Sequence, residues 1–398
     1  MKEGWEIKKL GEVCDFQNGF AFKSKTYKES GLPILRITNI QNQELELSSL
    51  VYFDPKDYKE NFDRFKVFQN DLVIAMSGAT TGKLGINTSG TVFYLNQRVG
   101  KFLPRKNLLR SYLYYFLSTK VEESLRIAAG AAQPNLSTEQ INNFEIPFPP
   151  LPEQQRIVSI LDECFAAIDQ AKANAEQNLK NAKELFESYL QGVFEKKDEG
   201  WEEKTLGEIG KPSMCKRILK HQTSPKGDIP FYKIGTFGKT PDAFISIEIY
   251  NEYRTKYSFP KKGDILISAS GTIGRRVRYD GEPAFFQDSN IVWIDNDEKQ
   301  VLNDYLYTFY EFCDWQPSKG ATISRLYNSN LTSIKIVFPK TFEEQKIIIE
   351  KLDALRAETQ KLEAIYQQKL ADLEELKKSI LQKAFSGELT ENLLFHES

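Results

Sequence analysis

The decamer G-W-E-I-K-K-L-G-E-V (Gly4–Val13) near the start of the chain returns as G-W-E-E-K-T-L-G-E-I (Gly200–Ile209). Tryptophan occurs only 4 times in the 398 residues, so a decamer anchored on tryptophan is not expected to recur by chance. Recurrence at a fixed distance is the signature of an internal repeat. The pair therefore indicates that the chain contains one structural plan twice.

The rest of the chain follows the same repeat, at an offset that drifts only between 190 and 196 residues. F-Q-N-D-L-V-I-A-M-S-G (Phe68–Gly78) matches K-K-G-D-I-L-I-S-A-S-G (Lys261–Gly271). I-P-F-P-P-L-P-E-Q-Q-R-I (Ile146–Ile157) matches I-V-F-P-K-T-F-E-E-Q-K-I (Ile336–Ile347). Because the drift is small, few insertions separate the copies, and we expect them to share one fold.

Each copy begins with a segment rich in aromatic residues, glycine and proline. Short β-type runs such as Leu72–Met76 and Ile265–Ile267, with a helical stretch around Leu113–Phe116, predict a compact α+β module. In the first copy a cluster of prolines lies at Pro147–Pro152. After it the apolar residues recur at spacings of three and four, which predicts a helix of roughly 40 residues. Pro152 followed by Glu153 suits the first turn of that helix.

A narrow apolar stripe on so long a helix must be covered, and the helix of the other copy offers an equivalent stripe. Parallel pairing would require the chain to return along the whole helix before Gly200, and only about six residues are available for that. We therefore predict an α+β protein in which two tandem globular α/β modules are separated by a long antiparallel two-helix coiled coil, with pseudo-two-fold internal symmetry. The predicted boundaries are module 1 at 1–150, helix 1 at 151–196, module 2 at 197–340, helix 2 at 341–390 and a tail at 391–398.

The formal net charge of −2 conceals a pattern along the chain. Residues 1–150 carry 19 Lys and Arg against 16 Asp and Glu, and residues 200–340 carry 20 against 17. The helical segments are acidic, with 6 against 10 over 151–199 and 8 against 12 over 341–398. If the protein binds a polyanion, we expect it to do so with its modules.

Several classes of protein are disfavoured. No apolar run approaches the ~18 residues of a membrane span, and the first residues lack a signal-peptide core. The cysteines Cys14, Cys164, Cys215 and Cys313 form no C-x-x-C pair, and there are only 2 histidines, which argues against a zinc site and a disulfide framework. We therefore expect a cytoplasmic protein.

A strand–turn–strand segment recurs in both copies, at Ser77–Lys83 and Ser270–Arg278. It is not a Walker A loop, because three residues instead of four separate the first pair of glycines, Leu84 follows the lysine, and the second copy has no lysine. Two compatible interpretations remain: a hairpin turn in which glycine supplies positive φ, and a DNA-contacting turn with hydroxyl and basic side chains. The side chains predicted to contact DNA are Lys23, Lys25, Ser77, Thr80, Lys83 and Arg98 in the first copy and Ser270, Thr272, Arg275, Arg276 and Arg278 in the second.

Motifs for catalysis are missing from the sequence. Phe148–Leu151 reads F-P-P-L, which lacks both the acid or amide and the aromatic residue of an amino-methyltransferase motif, and no G-x-G-x-x-G follows a strand. Pro241–Asp242 with Glu248–Tyr250 ends in tyrosine where a metal-dependent nuclease needs lysine. We therefore expect no catalytic residues, no metal site and no cofactor on this chain.

The repeated G-W-E-x-x-x-L-G-E, the segment P-L-P-E-Q-Q-R-I (Pro150–Ile157) and the terminal S-G-E-L (Ser386–Leu389) resemble the specificity subunits of type I restriction-modification enzymes over essentially the whole chain. The second copy departs from the family at T-F-E-E-Q-K (Thr341–Lys346), which lacks the proline pair. The resemblance implies a non-catalytic subunit whose two modules are target-recognition domains. Each would read one half of a split, asymmetric double-stranded DNA site, with the helices setting the gap between the halves.

The family also implies the partners. Two methylation subunits would bind the scaffold and carry S-adenosylmethionine, and motor-nuclease subunits would use ATP and magnesium to cleave unmodified DNA. The holoenzyme would be an adenine-N6 methyltransferase and an ATP-dependent endonuclease. The side chains predicted to contact partner subunits are Glu153, Gln154, Gln155, Glu343, Glu344 and Gln345.

Two alternatives remain open from the sequence. One is a coiled-coil scaffold that does not bind DNA, and the other is the remnant of a fused methyltransferase-nuclease. The copies differ most between their matched segments, for example over Gly31–Tyr58 against Ser224–Tyr253. Matched scaffold surfaces can hold two identical partners, whereas different reading surfaces cannot read one sequence twice. A non-palindromic target is therefore expected.

Overall fold

The computed structural model describes residues 4–41, 43–120, 135–195, 199–319 and 324–390. The chain forms two compact units: unit 1 combines Met1–Glu176 with Gln368–Ser398, and unit 2 is Gln177–Gln367. Each unit therefore contains one module and a part of each long helix. The tail predicted at 391–398 lies outside the described residues.

The described α-helices are two long ones and several short ones that belong to the modules. They are α1 (Leu10–Val13), α2 (Arg110–Thr119), α3 (Thr138–Asn142), α4 (Leu151–Glu195), α5 (Leu206–Ile209), α6 (Ile247–Lys256), α7 (Asn303–Phe312), α8 (Asn328–Ser333) and α9 (Phe342–Ser386). Helices α4 and α9 are observed where the sequence predicts helices at 151–196 and 341–390. Among the described residues, no helix is both long enough and apolar enough to cross a lipid bilayer.

The module of unit 1 is built on three sheets. Its strands are β1 (Glu6–Lys9), β2 (Cys14–Asn18), β3 (Leu32–Leu35), β4 (Ile40–Gln41), β5 (Gln43–Leu45), β6 (Val51–Phe53), β7 (Lys66–Val67), β8 (Leu72–Ala75), β9 (Leu84–Ile86), β10 (Phe93–Leu95), β11 (Val99–Pro104) and β12 (Glu145–Phe148). The sheets have the orders β2-β11-β8-β9-β5-β4, β6-β3-β10-β7 and β1-β12.

The module of unit 2 repeats this plan with fewer strands. Its strands are β13 (Trp201–Thr205), β14 (Gly210–Ser213), β15 (Ile229–Tyr232), β16 (Phe244–Ile245), β17 (Ile265–Ser268), β18 (Arg276–Arg278), β19 (Phe285–Phe286), β20 (Ile291–Asn296), β21 (Ser318–Lys319), β22 (Ser324–Arg325) and β23 (Lys335–Pro339). The orders β14-β20-β17-β18, β16-β15-β19 and β13-β23 correspond to β2-β11-β8-β9, β6-β3-β10 and β1-β12 of unit 1. The shared strand orders confirm the predicted duplication.

Strand β8 is apolar throughout because both of its faces are covered. Leu72 and Ile74 face one core of unit 1, whereas Val73 and Ala75 face a second, aromatic core. Strand β17 divides its side chains in the same way, with Ile265 in one core of unit 2 and Leu266 in the other. Side chains alternate along a strand, so a strand buried on both faces reads as a continuous apolar run.

The repeated decamer closes each module. Strand β1 pairs antiparallel with β12, the strand that immediately precedes helix α4. Strand β13 pairs in the same way with β23, the strand that precedes α9. Trp5 is buried, with 7% of its surface exposed. The first and last strands of a module are thus hydrogen-bonded neighbours.

The long helices pack antiparallel within each unit, as the sequence predicts. In unit 1 the beginning of α4 shares a core with the end of α9, for example Leu161 with Ala384. Lys172 Nζ lies 2.7 Å from Glu374 Oε1, and Lys377 Nζ lies 3.7 Å from Asp169 Oδ1. Residue numbers fall along α9 as they rise along α4, which is the antiparallel order.

In unit 2 the end of α4 packs beside the beginning of α9, so the order is again antiparallel. Leu190 and Leu352 share its core. The ring of Phe194 on α4 packs 5.3 Å from that of Tyr305 on α7. Phe385 on α9 does the same in unit 1, 5.2 Å from Tyr112 on α2.

Candidate nucleic-acid interface

The predicted strand–turn–strand segments are hairpins in both modules. Strands β8 and β9 pair antiparallel around Ser77–Lys83, and β17 pairs with β18 around the corresponding turn. Gly78 and Gly82 have φ of 78° and 83°, and Gly271 and Gly274 have φ of 67° and 82°. These are left-handed values that glycine adopts without strain. The hairpin interpretation is therefore confirmed.

Hydroxyl groups fix the shape of each turn. In unit 1 the Thr81 hydroxyl donates to the Gly78 carbonyl at 2.7 Å. In unit 2 the Ser268 hydroxyl accepts a hydrogen bond from the Arg275 amide at 2.8 Å and donates to the Thr272 carbonyl. Turns held by their own side chains present the neighbouring groups in fixed positions, which reduces the entropy lost on binding.

Two further chain segments lie beside the turn of unit 1. The Met76 amide donates to the Arg98 carbonyl at 2.9 Å, and the Leu136 amide donates to the Met76 carbonyl at 2.7 Å. Ser77 forms a β-bridge with Asn135. The beginning of the turn therefore runs between Arg98 on one side and Asn135 on the other.

The turn of unit 2 has the same frame. The Ala269 amide donates to the Asn290 carbonyl at 2.7 Å, and the Leu326 amide donates to the Ala269 carbonyl at 2.8 Å. Ser270 forms a β-bridge with Arg325. We call these two sets of three positions, Ser77, Arg98 and Asn135 in unit 1 and Ser270, Asn290 and Arg325 in unit 2, the turn triads.

Three residues of the triads were not predicted from the sequence, namely Asn135, Asn290 and Arg325. They carry no motif and lie far from the turns in the sequence. The repeat could have found them, because Asn290 is 192 residues after Arg98 and Arg325 is 190 residues after Asn135. Only the strand pairing shows that these positions flank the turns.

The residues predicted to contact DNA in unit 1 fall into two groups. Lys83 and Arg98 are exposed at the turn, whereas the hydroxyl oxygens of Ser77 and Thr80 are buried and have no hydrogen-bond partner. Lys23 and Lys25 lie apart from the turn in sequence and are exposed around the short 3-10 segment Ser24–Thr26. The Lys23 amide donates to the Tyr58 hydroxyl at 3.3 Å. Contact of these residues with DNA remains a prediction.

The basic side chains predicted in unit 2 do not form one set. The Arg275 guanidinium donates to the Phe237 carbonyl at 3.0 Å. The Arg276 guanidinium packs 4.5 Å from the ring centroid of Tyr307 on α7 and lies 2.8 Å from a carboxylate oxygen of Glu311, with 18% of its side chain exposed. Arg276 therefore packs against helix α7 within its own unit, and its contact with DNA remains a prediction.

Arg278 follows Arg276 by two positions on β18, so it shares the same side of the strand. Its guanidinium lies 2.7 Å from a carboxylate oxygen of Asp304 on α7, with 48% of the side chain exposed. Thr272 is exposed at the tip of the turn, and Ser270 is partly buried. Contact of Arg275, Arg278, Thr272 and Ser270 with DNA remains a prediction.

The glutamines at the start of the long helices are structural. Gln154 has no exposed surface, and its side chain accepts from the Leu109 amide at 2.8 Å and donates to the carbonyls of Asn107 and Pro149 at 3.0 and 2.8 Å. Gln345 is equally buried and makes the same three kinds of bond, to Leu302, Gln300 and Pro339. A side chain with no exposed surface cannot touch a partner protein, so the predicted partner contacts of Gln154 and Gln345 are wrong.

The other residues predicted to contact partners differ in their surroundings. Gln155, Glu343 and Glu344 are exposed. The Glu344 carboxylate accepts from the Trp201 indole at 3.0 Å, and the Glu153 carboxylate accepts from the Thr390 hydroxyl at 2.6 Å. Partner contacts by these four residues stay a prediction.

Each module also anchors its last strand by a buried tyrosine. The Tyr112 hydroxyl donates to the Pro147 carbonyl at 2.8 Å, and the Tyr305 hydroxyl donates to the Val337 carbonyl at 3.0 Å. Burial raises the pKa of both tyrosines far above the usual range, so they remain neutral donors. Within the described ranges, no group of three or more His, Cys, Asp or Glu side chains could hold a metal ion.

The sequence profile and the related proteins that match this chain all name one family. The sequence profile described as "Type I restriction modification DNA specificity domain" matches residues 2–181 and 198–373. A putative type I restriction enzyme specificity subunit of Haemophilus influenzae is 40% identical over 363 residues, which cover 89% of this chain and 89% of that protein. The type I restriction enzyme EcoKI specificity subunit of Escherichia coli K12 is 24% identical over 437 residues, covering 98% of this chain and 90% of that protein.

Solved structures share the fold. One, from work on the complex assembly and conformational transition of the type I R-M system, has a TM-score of 0.73 at 20% identity and covers 98% of this chain and 99% of its own. The HsdS subunit from Thermoanaerobacter tengcongensis has a TM-score of 0.64 at 18% identity, with 98% of both chains covered. Because the profile matches both copies of the repeat and the Haemophilus relative matches along most of its length, the chain belongs to the family of type I restriction-modification specificity subunits.

Proposed function

We propose that this chain is the non-catalytic DNA-recognition subunit of a type I restriction-modification enzyme, and that each module reads one half of an asymmetric, bipartite site. The observation that carries this proposal is the pair of hairpin turns. They have one backbone frame in the two units, and they present different side chains on it. A common frame places the turns equivalently on DNA, whereas different side chains select different bases.

The remaining functions follow from the family. The long helices would set the gap between the half-sites and, with exposed residues such as Gln155 and Glu343, would bind two methylation subunits. S-adenosylmethionine would be held by those subunits, and ATP and magnesium by motor-nuclease subunits of the full complex. The holoenzyme would methylate adenine at N6 and cleave unmodified DNA. We place the protein in the cytoplasm, where its DNA substrate is accessible.

The test is a map of methylated adenines in cells that carry this chain with its methylation subunits. We expect one motif with two different halves and a fixed gap. The matched control is a strain that carries the methylation subunits without this chain, in which the motif should be absent. A palindromic motif, or the same motif in the control strain, would contradict the proposal.

A filter-binding titration separates DNA recognition from a scaffold that does not bind DNA. The complex of this chain with its methylation subunits should bind an oligonucleotide carrying the mapped site more tightly than a scrambled one. Affinity for both should fall as salt rises, because basic side chains displace counterions from phosphates. Affinity that depends on neither sequence nor salt would support the scaffold instead.

A further inference from the structure

The turn triads contain the same three residue types in a different arrangement. Serine occupies the central position in both units, at Ser77 and Ser270. Unit 1 has Arg98 where unit 2 has Asn290, and the two carbonyls accept equivalent hydrogen bonds from the chain beside the serine. On the other side of the serine, unit 1 has asparagine (Asn135) and unit 2 has arginine (Arg325). Arginine and asparagine have therefore exchanged places between the two units.

The side chains of the triad of unit 2 lie close together. In unit 2 the Ser270 hydroxyl donates to Asn290 Oδ1 at 2.8 Å, so these two side chains share a face. The Arg325 guanidinium donates to the carbonyl of Ser289, the residue before Asn290, at 3.0 Å. Residues joined in a β-bridge also point to the same side, which places Arg325 beside Ser270.

The exchange coincides with an unsatisfied hydroxyl in unit 1. Arginine has no acceptor atom, so Arg98 cannot take the hydrogen bond that Asn290 takes in unit 2. The Ser77 hydroxyl oxygen is correspondingly buried without a partner. A buried polar atom without a partner costs free energy unless a ligand supplies one. Arg98 itself is exposed and open to a ligand.

The two exchanged residue types have distinct uses on DNA. In the major groove, arginine pairs bidentately with O6 and N7 of guanine, and asparagine pairs with N6 and N7 of adenine. Arg325 uses one of its five N–H donors on Ser289, and Asn290 Oδ1 keeps a second lone pair, so both retain the groups needed for a base. Each triad can therefore select one guanine and one adenine.

We propose that the turn triads are base-reading elements, and that the exchange of arginine and asparagine makes the two modules require guanine and adenine in opposite spatial order. Arg98 and Asn135 read these bases in one half-site, and Arg325 and Asn290 read them in the other. This inference rests on the proposed function. The inference adds to the proposed function the residues that determine specificity and the kind of base that each selects.

The main test is a reciprocal exchange in the chain bound to its methylation subunits, read out by mapping methylated adenines. The double variant Arg98→Asn with Asn135→Arg should change one half of the motif, exchanging the places of a guanine and an adenine, and leave the other half unchanged. Asn290→Arg with Arg325→Asn should change only the other half. Both variants should also be melted beside the wild type to verify that they fold.

Single substitutions cover the case in which a double variant fails to methylate. In filter binding, Arg98→Ala and Arg325→Ala should each lower discrimination at one base pair of one half-site by about 5- to 150-fold, which corresponds to the value of a good bidentate contact. The matched controls are Lys106→Asn and Lys299→Asn, exposed lysines beyond the opposite ends of β11 and β20. These controls should leave the motif unchanged.

The outcomes separate the two levels of the proposal. An unaltered motif in double variants that still methylate would overturn the triad inference and leave the proposed function intact. A uniform loss of affinity for all sequences in the single variants would also overturn it, because that is the behaviour of a phosphate contact. If the wild-type complex has no discrete motif, the proposed function itself fails.

Discussion

Asp71 in unit 1 and Asp264 in unit 2 occupy the same position of the repeat, and their surroundings are chemically opposite. Each carboxylate accepts from a backbone amide three residues earlier, Phe68 or Lys261, at 2.8 Å. Asp71 also faces a buried lysine, Lys101, whose ammonium group lies 3.3 Å away. At the corresponding place on β20, unit 2 has Trp293, which is 1% exposed.

The difference shows which features the fold requires and which each unit is free to change. The hydrogen bond that closes the turn before β8 and β17 is common to both units and belongs to the scaffold. The charge next to it is not common to both units: unit 1 buries an ion pair between Asp71 and Lys101, whereas unit 2 buries Asp264 and has a tryptophan at the position of the lysine. Burial accordingly raises the pKa of Asp264, assisted by the nearby Asp295 carboxylate and opposed by the hydrogen bond from Lys261.

The sharpest test of this comparison is Asp71→Asn. The amide would still accept from Phe68, but the Lys101 ammonium group would be left buried without its counter-charge. Breaking a buried pair by removing one partner costs about 3–5 kcal/mol. We expect a loss of that size in unit 1, measured by hydrogen exchange of the amides in β8 and β11 against denaturant.

Asp264→Asn is the matched control and should behave oppositely. The pKa of Asp264 is raised in the folded state, so the folded state holds this proton more tightly than the unfolded state does. The stability that protonated Asp264 contributes is fully present below about pH 4, the usual pKa of aspartate. It is lost as pH rises through the raised pKa of the folded state. Near pH 7 the variant should be at least as stable as the wild type, with a weaker pH dependence above pH 4. A loss comparable to that of Asp71→Asn would contradict the comparison.

The glutamine at the start of each long helix should respond alike in the two units. Gln154→Ala removes three hydrogen bonds and leaves the buried Pro149 carbonyl without a partner, which should destabilise unit 1 by about 2 kcal/mol. Exchange of the Leu109 amide should become faster, because Gln154 is its acceptor.

Gln155→Ala, at the exposed neighbour, should have almost no effect. If Gln345→Ala leaves the Leu302 amide protected in unit 2, the two scaffolds are not equivalent.

The smallest expected effect is a difference in stability between two glycine variants in the turn of unit 2. A Cβ at Gly274 would lie 2.2 Å from the Trp315 indole nitrogen, whereas a Cβ at Gly271 has no atom closer than 3.8 Å. Both glycines have positive φ, so both alanine variants carry that cost of ~1–2 kcal/mol. Gly274→Ala should cost about 1 kcal/mol more than Gly271→Ala. Equal losses by thermal melting, or an excess that Trp315→Leu does not relieve, would refute the contact as its cause.

Most of the fold could be predicted because its signals are short patterns that can be recognised along the chain. The matched decamers, the spacing of apolar residues in α4 and α9, and the glycines of the turns are all readable along the chain. The pairing of β1 with β12 was not predicted, because a contact between residues about 140 apart leaves no periodic signal. The smaller strands β4, β5 and β7 of unit 1 were missed because they have only two or three residues, too few to show the alternation of a strand.

The candidate site was less predictable. Arginines near the turn were identified by charge, but strand alternation directs Arg276 against α7 instead of towards solvent. Gln154 and Gln345 were identified by their place in a conspicuous motif, which proved to be a packing motif. Asn135, Asn290 and Arg325 become visible only when paired strands bring separate segments beside Ser77 and Ser270.

The pairing of the first and last strands has a consequence for how such a chain can change. Strands β1 and β12 leave a module side by side, and β13 and β23 do the same. The chain therefore enters and leaves each module through one pair of hydrogen-bonded strands. Another module could replace it at the repeated segments without moving the start of the following helix. Exchanging one module for another would then change the surface that this module presents to DNA, while the start of the following helix keeps its place.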